Sequence, residues 1–247
     1  MYTIRKSNER GSTKLYWLDS KHTFSFANYI DVKHMGFGPL RVINDDIVAL
    51  SEGFGLHPHD NMEIISIVLS GELEHRDSMG NTSVMKAGDI QKMSAGTGIF
   101  HSEFNASDKV PVHFLQIWIM PNVQNISPGY GQKKFPREAM LNKLCLIGSL
   151  EGEDNAFKIY QDANVYETLI EKEKTVSYQL KPSRKIWIHI ATGSVIIKDT
   201  ELFAGDGLGI REEDELINIT GIADESIIII FDLSLIHISE PTRLLSI

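Results

Sequence analysis

Short β-rich runs closed by glycine or proline turns recur along this chain, and they point to a layered all-β fold. Ile64–Leu69 ends at Ser70-Gly71, Glu72–Asp77 ends at Ser78-Met79-Gly80-Asn81, and Val112–Ile119 ends at Pro121. Turns at intervals of roughly 8–12 residues between such runs are the signature of a sandwich or barrel. Helical periodicity is weak throughout, and Arg137–Leu141 supports a turn or two at most.

The pattern is also repeated. Ile65–Gly71 and Trp187–Gly193 are both apolar strands that end in a polar residue and a glycine. Each is followed by an Ala-Gly-Asp turn, Ala87-Gly88-Asp89 in one half and Ala204-Gly205-Asp206 in the other. A further long apolar strand comes after each, Val112–Ile119 and Ser226–Asp232. Repetition in the same order predicts two tandem antiparallel β-barrels of one type. At 247 residues the chain accommodates two small domains. Asn122–Gly131, rich in Asn, Pro, Gly and Ser, reads as the link between them. The expected division is 1–130 and 131–234, with an N-terminal arm exchanged between halves. After Ser234 the β pattern stops, and residues 235–247 resemble translated sequencing-adapter DNA. They are expected to be a non-native tail.

Composition removes several function classes. The formal net charge is -9 and the pI near 5.5. An acidic chain is repelled by phosphate backbones and anionic lipid, so direct nucleic-acid binding is not expected. The single cysteine, Cys145, excludes a disulfide framework or thiolate metal cluster and sits in an apolar run as an inert thiol. No signal-peptide pattern and no apolar run near the ~18–20 residues of a membrane span is visible, so the expectation is a soluble cytoplasmic monomer.

The chemistry concentrates in residues 57–103. His57-Pro58-His59 and His101-Ser102-Glu103 each place two donors at i and i+2, which share one face of a strand. Two such strands facing each other bring three imidazoles and a carboxylate to one point. That donor set suits Fe(II), Mn(II), Ni(II), Cu(II) or Zn(II) and leaves coordination positions open for chemistry. Glycines at 53, 55, 96 and 98 let the chain bend at the mouth. Glu63 shares parity with His59 if that strand runs unbroken, so spacing leaves the carboxylate open between Glu63 and Glu103. His22, His34, His75, His113 and His189 stand alone and read as surface or satisfied core residues.

Several longer stretches then carry a resemblance. These are Ser20-Lys21-His22-Thr23-Phe24-Ser25-Phe26, His57-Pro58-His59-Asp60-Asn61-Met62-Glu63, His75-Arg76-Asp77-Ser78-Met79-Gly80, Met93–Glu103 and Gln116–Pro121. Together they resemble the pirin family, a branch of the cupin superfamily, across residues 1–135. The second half resembles the C-terminal barrel of bacterial pirin-like proteins more loosely. The resemblance implies a bicupin of jelly-roll type, two barrels facing each other, with metal only in the first. It assigns the metal ligands to His57, His59, His101 and Glu103, and leaves Glu63 beside the metal as an acid–base candidate. The implied cofactor is one divalent transition metal, Fe(II) first, with Ni, Cu, Mn, Co or Zn compatible.

Bacterial relatives of this kind resemble quercetin 2,3-dioxygenases. The implied activity is opening of a flavonol ring with O2, with Glu63 or Glu103 accepting the proton of the flavonol 3-hydroxyl. Phe54, Met93, Phe100 and Phe104 are candidates for apolar walls, though such residues more often form core. The alternative is a metal- or redox-dependent regulatory module of the pirin type that binds a protein partner.

Overall fold

A strand that is apolar on both faces has to lie between two layers, and each half of the chain contains such strands. Ile227–Phe231 is an unbroken apolar run, and Ile64, Ile65, Ile67 and Val68 are all at most 1% exposed. The computed structural model describes residues 1–211 and 214–234 and builds each half around these strands. In the first half a seven-stranded sheet runs in the order Gly129–Lys134, Asp89–Ser94, Glu63–Ser70, Val112–Ile119, Leu40–Val48, Leu18–His22, Gly11–Lys14. A four-stranded sheet faces it, ordered Gly53–His59, Ile99–Asn105, Glu72–Asp77, Thr82–Lys86.

The second half repeats the scheme. Its seven-stranded sheet is ordered Tyr2–Arg5, Gly207–Arg211, Arg184–Thr192, Glu225–Ser234, Ala163–Glu171, Cys145–Ser149, Phe157–Lys158, and its four-stranded sheet Thr175–Leu180, Glu215–Gly221, Ser194–Ile197, Thr200–Phe203. Among the described residues no sheet closes on itself, so each half is a pair of open sheets where the sequence predicts a barrel. Among the described residues the one α-helix is Arg137–Met140, and no helix is long and apolar enough to cross a membrane. The tail 235–247 lies outside the described residues.

Period-two alternation divides each long strand between two cores. In the first half Val68, Val112 and Phe114 face inward and meet Leu73 and Met85 from the four-stranded sheet. Their neighbours Ile65, Ile67, Leu115 and Ile117 face outward and join Val165, Trp187, Ile229 and Phe231 of the second half. The two seven-stranded sheets therefore share one apolar seam. The second half's own interior is filled by aliphatic side chains such as Ile188, Ile197, Ile217 and Ile230.

The arm expected at the N-terminus is present: Tyr2–Arg5 pairs antiparallel with Gly207–Arg211 of the second half. The strand Gly129–Lys134, which spans the division expected at 130/131, pairs with Asp89–Ser94 in the first. Aromatic rings stitch the same seam, with Phe24 and Phe37 packed on Trp187 at centroid distances of 5.0 and 5.3 Å. Gly207 allows this, because a Cβ there would lie 2.2 Å from the Trp187 ring.

One seam position is costly. Glu167 is 4% exposed, its Oε2 has no hydrogen-bond partner, and burial pushes its carboxyl up to about 7. A raised carboxyl pKa means that the folded chain holds the proton more tightly than the unfolded one. The associated stability is present below the ordinary value near 4.5 and is lost as pH rises through 7. Glu167→Gln is therefore expected to gain up to about 3 kcal/mol over the parent at pH 8 and little at pH 4, read by chemical denaturation at both pH values.

Candidate metal centre

Three neighbouring strands of the first half's four-stranded sheet build the site. His101 pairs with His57 on one side and with Asp77 on the other, and Glu103 pairs with His75. The register between Gly53–His59 and Ile99–Asn105 shifts between His101 and Glu103, so that Phe54, not Gly55, lies opposite Glu103. A bulge of this kind re-aims side chains. Here the Gly55 carbonyl accepts a 2.7 Å hydrogen bond from His57 Nδ1–H. That fixes the tautomer and leaves His57 Nε2 as the free donor atom.

The three expected histidines converge. Ring centroids of His57, His59 and His101 lie 4.4–4.9 Å apart, and one nitrogen from each falls in a group whose atoms are all within 4.8 Å of one another. His101 is fully buried, and its Nε2 has no hydrogen-bond partner. A buried imidazole nitrogen without a partner is costly unless something fills the position. Burial and the neighbouring imidazoles hold His101 down to about 2, and burial with His57 holds His59 down to about 4. These rings are thus neutral at pH 7, the form that binds metal. The donor set fits a divalent transition ion.

Glu103 enters from the buried side. It is 2% exposed, accepts hydrogen bonds from Ser66 Oγ at 3.1 Å and Gln116 Nε2 at 2.6 Å, and burial raises its pKa. Its carboxylate forms a second convergent group with His101 and His75. His101 is the member common to both groups.

One sequence expectation changes here. Glu63 does not reach the histidines. The strand that carries His59 stops there, a turn with Asn61 at φ 43° intervenes, and Glu63 opens a strand of the other sheet. Parity does not survive the turn. Glu63 shares the outward face of Ile65 and Ile67, and its carboxylate pairs with Lys92 Nζ at 2.9 Å while accepting from Ser94 Oγ at 3.1 Å and from the Tyr160 N–H at 3.4 Å.

His75 is the partnered core histidine that the sequence suggests, and beyond that it packs against His101 with ring centroids 5.3 Å apart. The signal was available, because His75-Arg76-Asp77 repeats the His-x-acid pattern of His101-Ser102-Glu103. Of the proposed walls, Met93 is core and Phe100 is half exposed. Trp118 provides the aromatic contact, its ring 4.9 Å from His59 and backed by Phe26 at 5.4 Å.

Comparison with known proteins defines the class. The Pirin family matches residues 3–119, and the family described as Quercetinase C-terminal cupin domain matches residues 146–233. Quercetin 2,3-dioxygenase of Escherichia coli K12 is 45% identical, covering 94% of this chain and 99% of that protein. The crystal structure of E. coli YhhW superposes with a TM-score of 0.91 at 43% identity, covering 96% of this chain and 99% of the other. YhhW in complex with nickel(II) superposes at 0.90, with 43% identity and 96% and 100% coverage. The chain belongs to the pirin family.

Metal analysis separates the two carboxylates. His57→Ala and His101→Ala are expected to lose most bound metal. Glu63→Gln is expected to keep it but to melt several degrees lower, because an unpaired buried Lys92 costs about 3 kcal/mol. Metal loss in Glu63→Gln would return that carboxylate to the site.

Proposed function

We propose that this chain is a metal-dependent dioxygenase of the quercetin 2,3-dioxygenase type, opening a flavonol ring with O2 at a mononuclear site formed by His57, His59, His101 and Glu103. The observation that carries the reading is the unpartnered Nε2 of His101 beside the convergent imidazoles of His57 and His59, in a chain 45% identical to a protein named for this activity. Fe(II) is the ion we assign, and Ni(II), the ion in the complex of YhhW, is an alternative that imidazole and carboxylate donors also suit. Such an ion would supply a Lewis acid that favours the ionised form of a substrate hydroxyl and a path for electrons to O2.

The remaining work falls to the chain. His57 and His59, half-buried at the rim, and His101, beneath them, would fix the geometry. Glu103 would be the carboxylate that accepts the hydroxyl proton, and general-base help of this kind is typically worth 10²–10⁴-fold. Trp118, backed by Phe26, offers an apolar wall for an aromatic ring. We read each half as a cupin barrel made of two open sheets, the second (131–234) serving as structural support, and the tail 235–247 as foreign.

The test is loss of quercetin absorbance with matched O2 uptake by Fe(II)- or Ni(II)-loaded protein, abolished by a chelator. A fully metallated sample that turns over no flavonol would replace this reading with the metal-dependent regulatory module.

A further inference from the structure

We infer that Asp77 and His75 form a relay behind His101 that selects its tautomer and strengthens its Nε2 as a metal donor. The inference rests on the metal reading of the site and not on the substrate. The chain of contacts starts at Asp77. Its carboxylate accepts from the Met79 N–H at 2.9 Å, the Asn81 N–H at 3.0 Å and Asn81 Nδ2 at 2.8 Å. These donors anchor the carboxylate and hold its pKa below the usual range against the opposing effect of burial. Asp77 Oδ2 lies 3.2 Å from His75 Nε2, so His75 donates there.

With the proton on Nε2, a neutral His75 presents a bare Nδ1. That atom lies 3.4 Å from His101 Nδ1. His101 must then donate from Nδ1, which leaves its Nε2 with a lone pair and no hydrogen. This Nε2 is the buried atom that has no partner. The network thus points the basic nitrogen of His101 at the position shared with His57 and His59.

Packing fixes the relay. His75 is fully buried and stacks on Tyr130 at 4.6 Å with 17° between ring planes, and the Tyr130 hydroxyl bonds Ser83 on the adjacent strand. His75 could otherwise be a ligand itself, since it converges with His101 and Glu103. The geometry disfavours this, because Nε2 is engaged by Asp77 and Nδ1 by His101. A hydrogen bond from a ligand imidazole to a basic partner raises its donor strength, and loss of such a partner typically costs 10–100-fold in metal affinity.

The test measures binding of Ni(II) and Co(II) to the full-length chain without substrate, by competition with a chelator and by the visible spectrum of bound Co(II). His75→Phe keeps a ring on Tyr130 and removes both nitrogens. Asp77→Asn leaves His75 in place and removes the charge. Both variants are expected to bind one ion per chain with Co(II) band intensity near that of the parent, at an affinity lowered 10–100-fold for His75→Phe and by less for Asp77→Asn. Thermal melts of the metal-free variants would identify misfolding, and Asp77→Asn then carries the test alone. Unchanged affinity in both variants would overturn the relay. Loss of stoichiometric binding with an altered Co(II) band intensity in His75→Phe would make His75 a ligand instead. Because no substrate is present, failure of the dioxygenase assay leaves these outcomes unaffected.

Discussion

An apolar seam between two seven-stranded sheets holds the molecule together, and the arrangement of the site follows from it. Ile65, Ile67, Leu115 and Ile117 from one half meet Val165, Trp187, Ile229 and Phe231 from the other. Once the odd-numbered residues of Glu63–Ser70 are committed to the seam, the even-numbered ones must face the interior of the first half. Ser66 is therefore delivered to Glu103, and Glu63 is carried away from the histidines toward Lys92 and Tyr160. The same seam accounts for the second half, whose outward face is needed as the other wall. His189 illustrates the demand, since it is 1% exposed with both ring nitrogens unpartnered, and burial holds it neutral at about 4.

Within the first half, burial does electrostatic work. It lowers His59 and His101 and raises Glu103, so every group is pushed toward its neutral form. Neutral imidazoles are ready ligands. A buried carboxyl with few cations near it has much to gain from a positive charge at the centre of the site. Ser66, Gln116 and the Asp77–His75 pair are the polar contacts that orient Glu103 and His101 in this apolar setting.

Much of this was legible in the chain. Glu72–Asp77 and Val112–Ile119 are strands with the ends that the turn residues indicate, and a short α-helix falls at Arg137–Met140. His57, His59 and His101 come together as period-two alternation requires. Glu63 was misread because parity holds only along an unbroken strand, and the turn at Asn61 separates it from His59. His75 is the satisfied core residue its solitary position suggests, but its nearness to His101 becomes visible only when its cross-strand partner, Glu103, is known.

The sequence by itself determined the all-β class, the two-fold repetition and the shared face of each histidine pair, because turn chemistry and side-chain alternation act over a few neighbouring residues. Spacing left the carboxylate open and only the family resemblance pointed to Glu103; the tertiary structure alone decided the separation of Glu63 from the histidines, the placement of His75 behind His101 and the division of each strand between interior and seam. Those depend on strand register and on which face another sheet covers, and both are set by contacts between residues far apart in the chain.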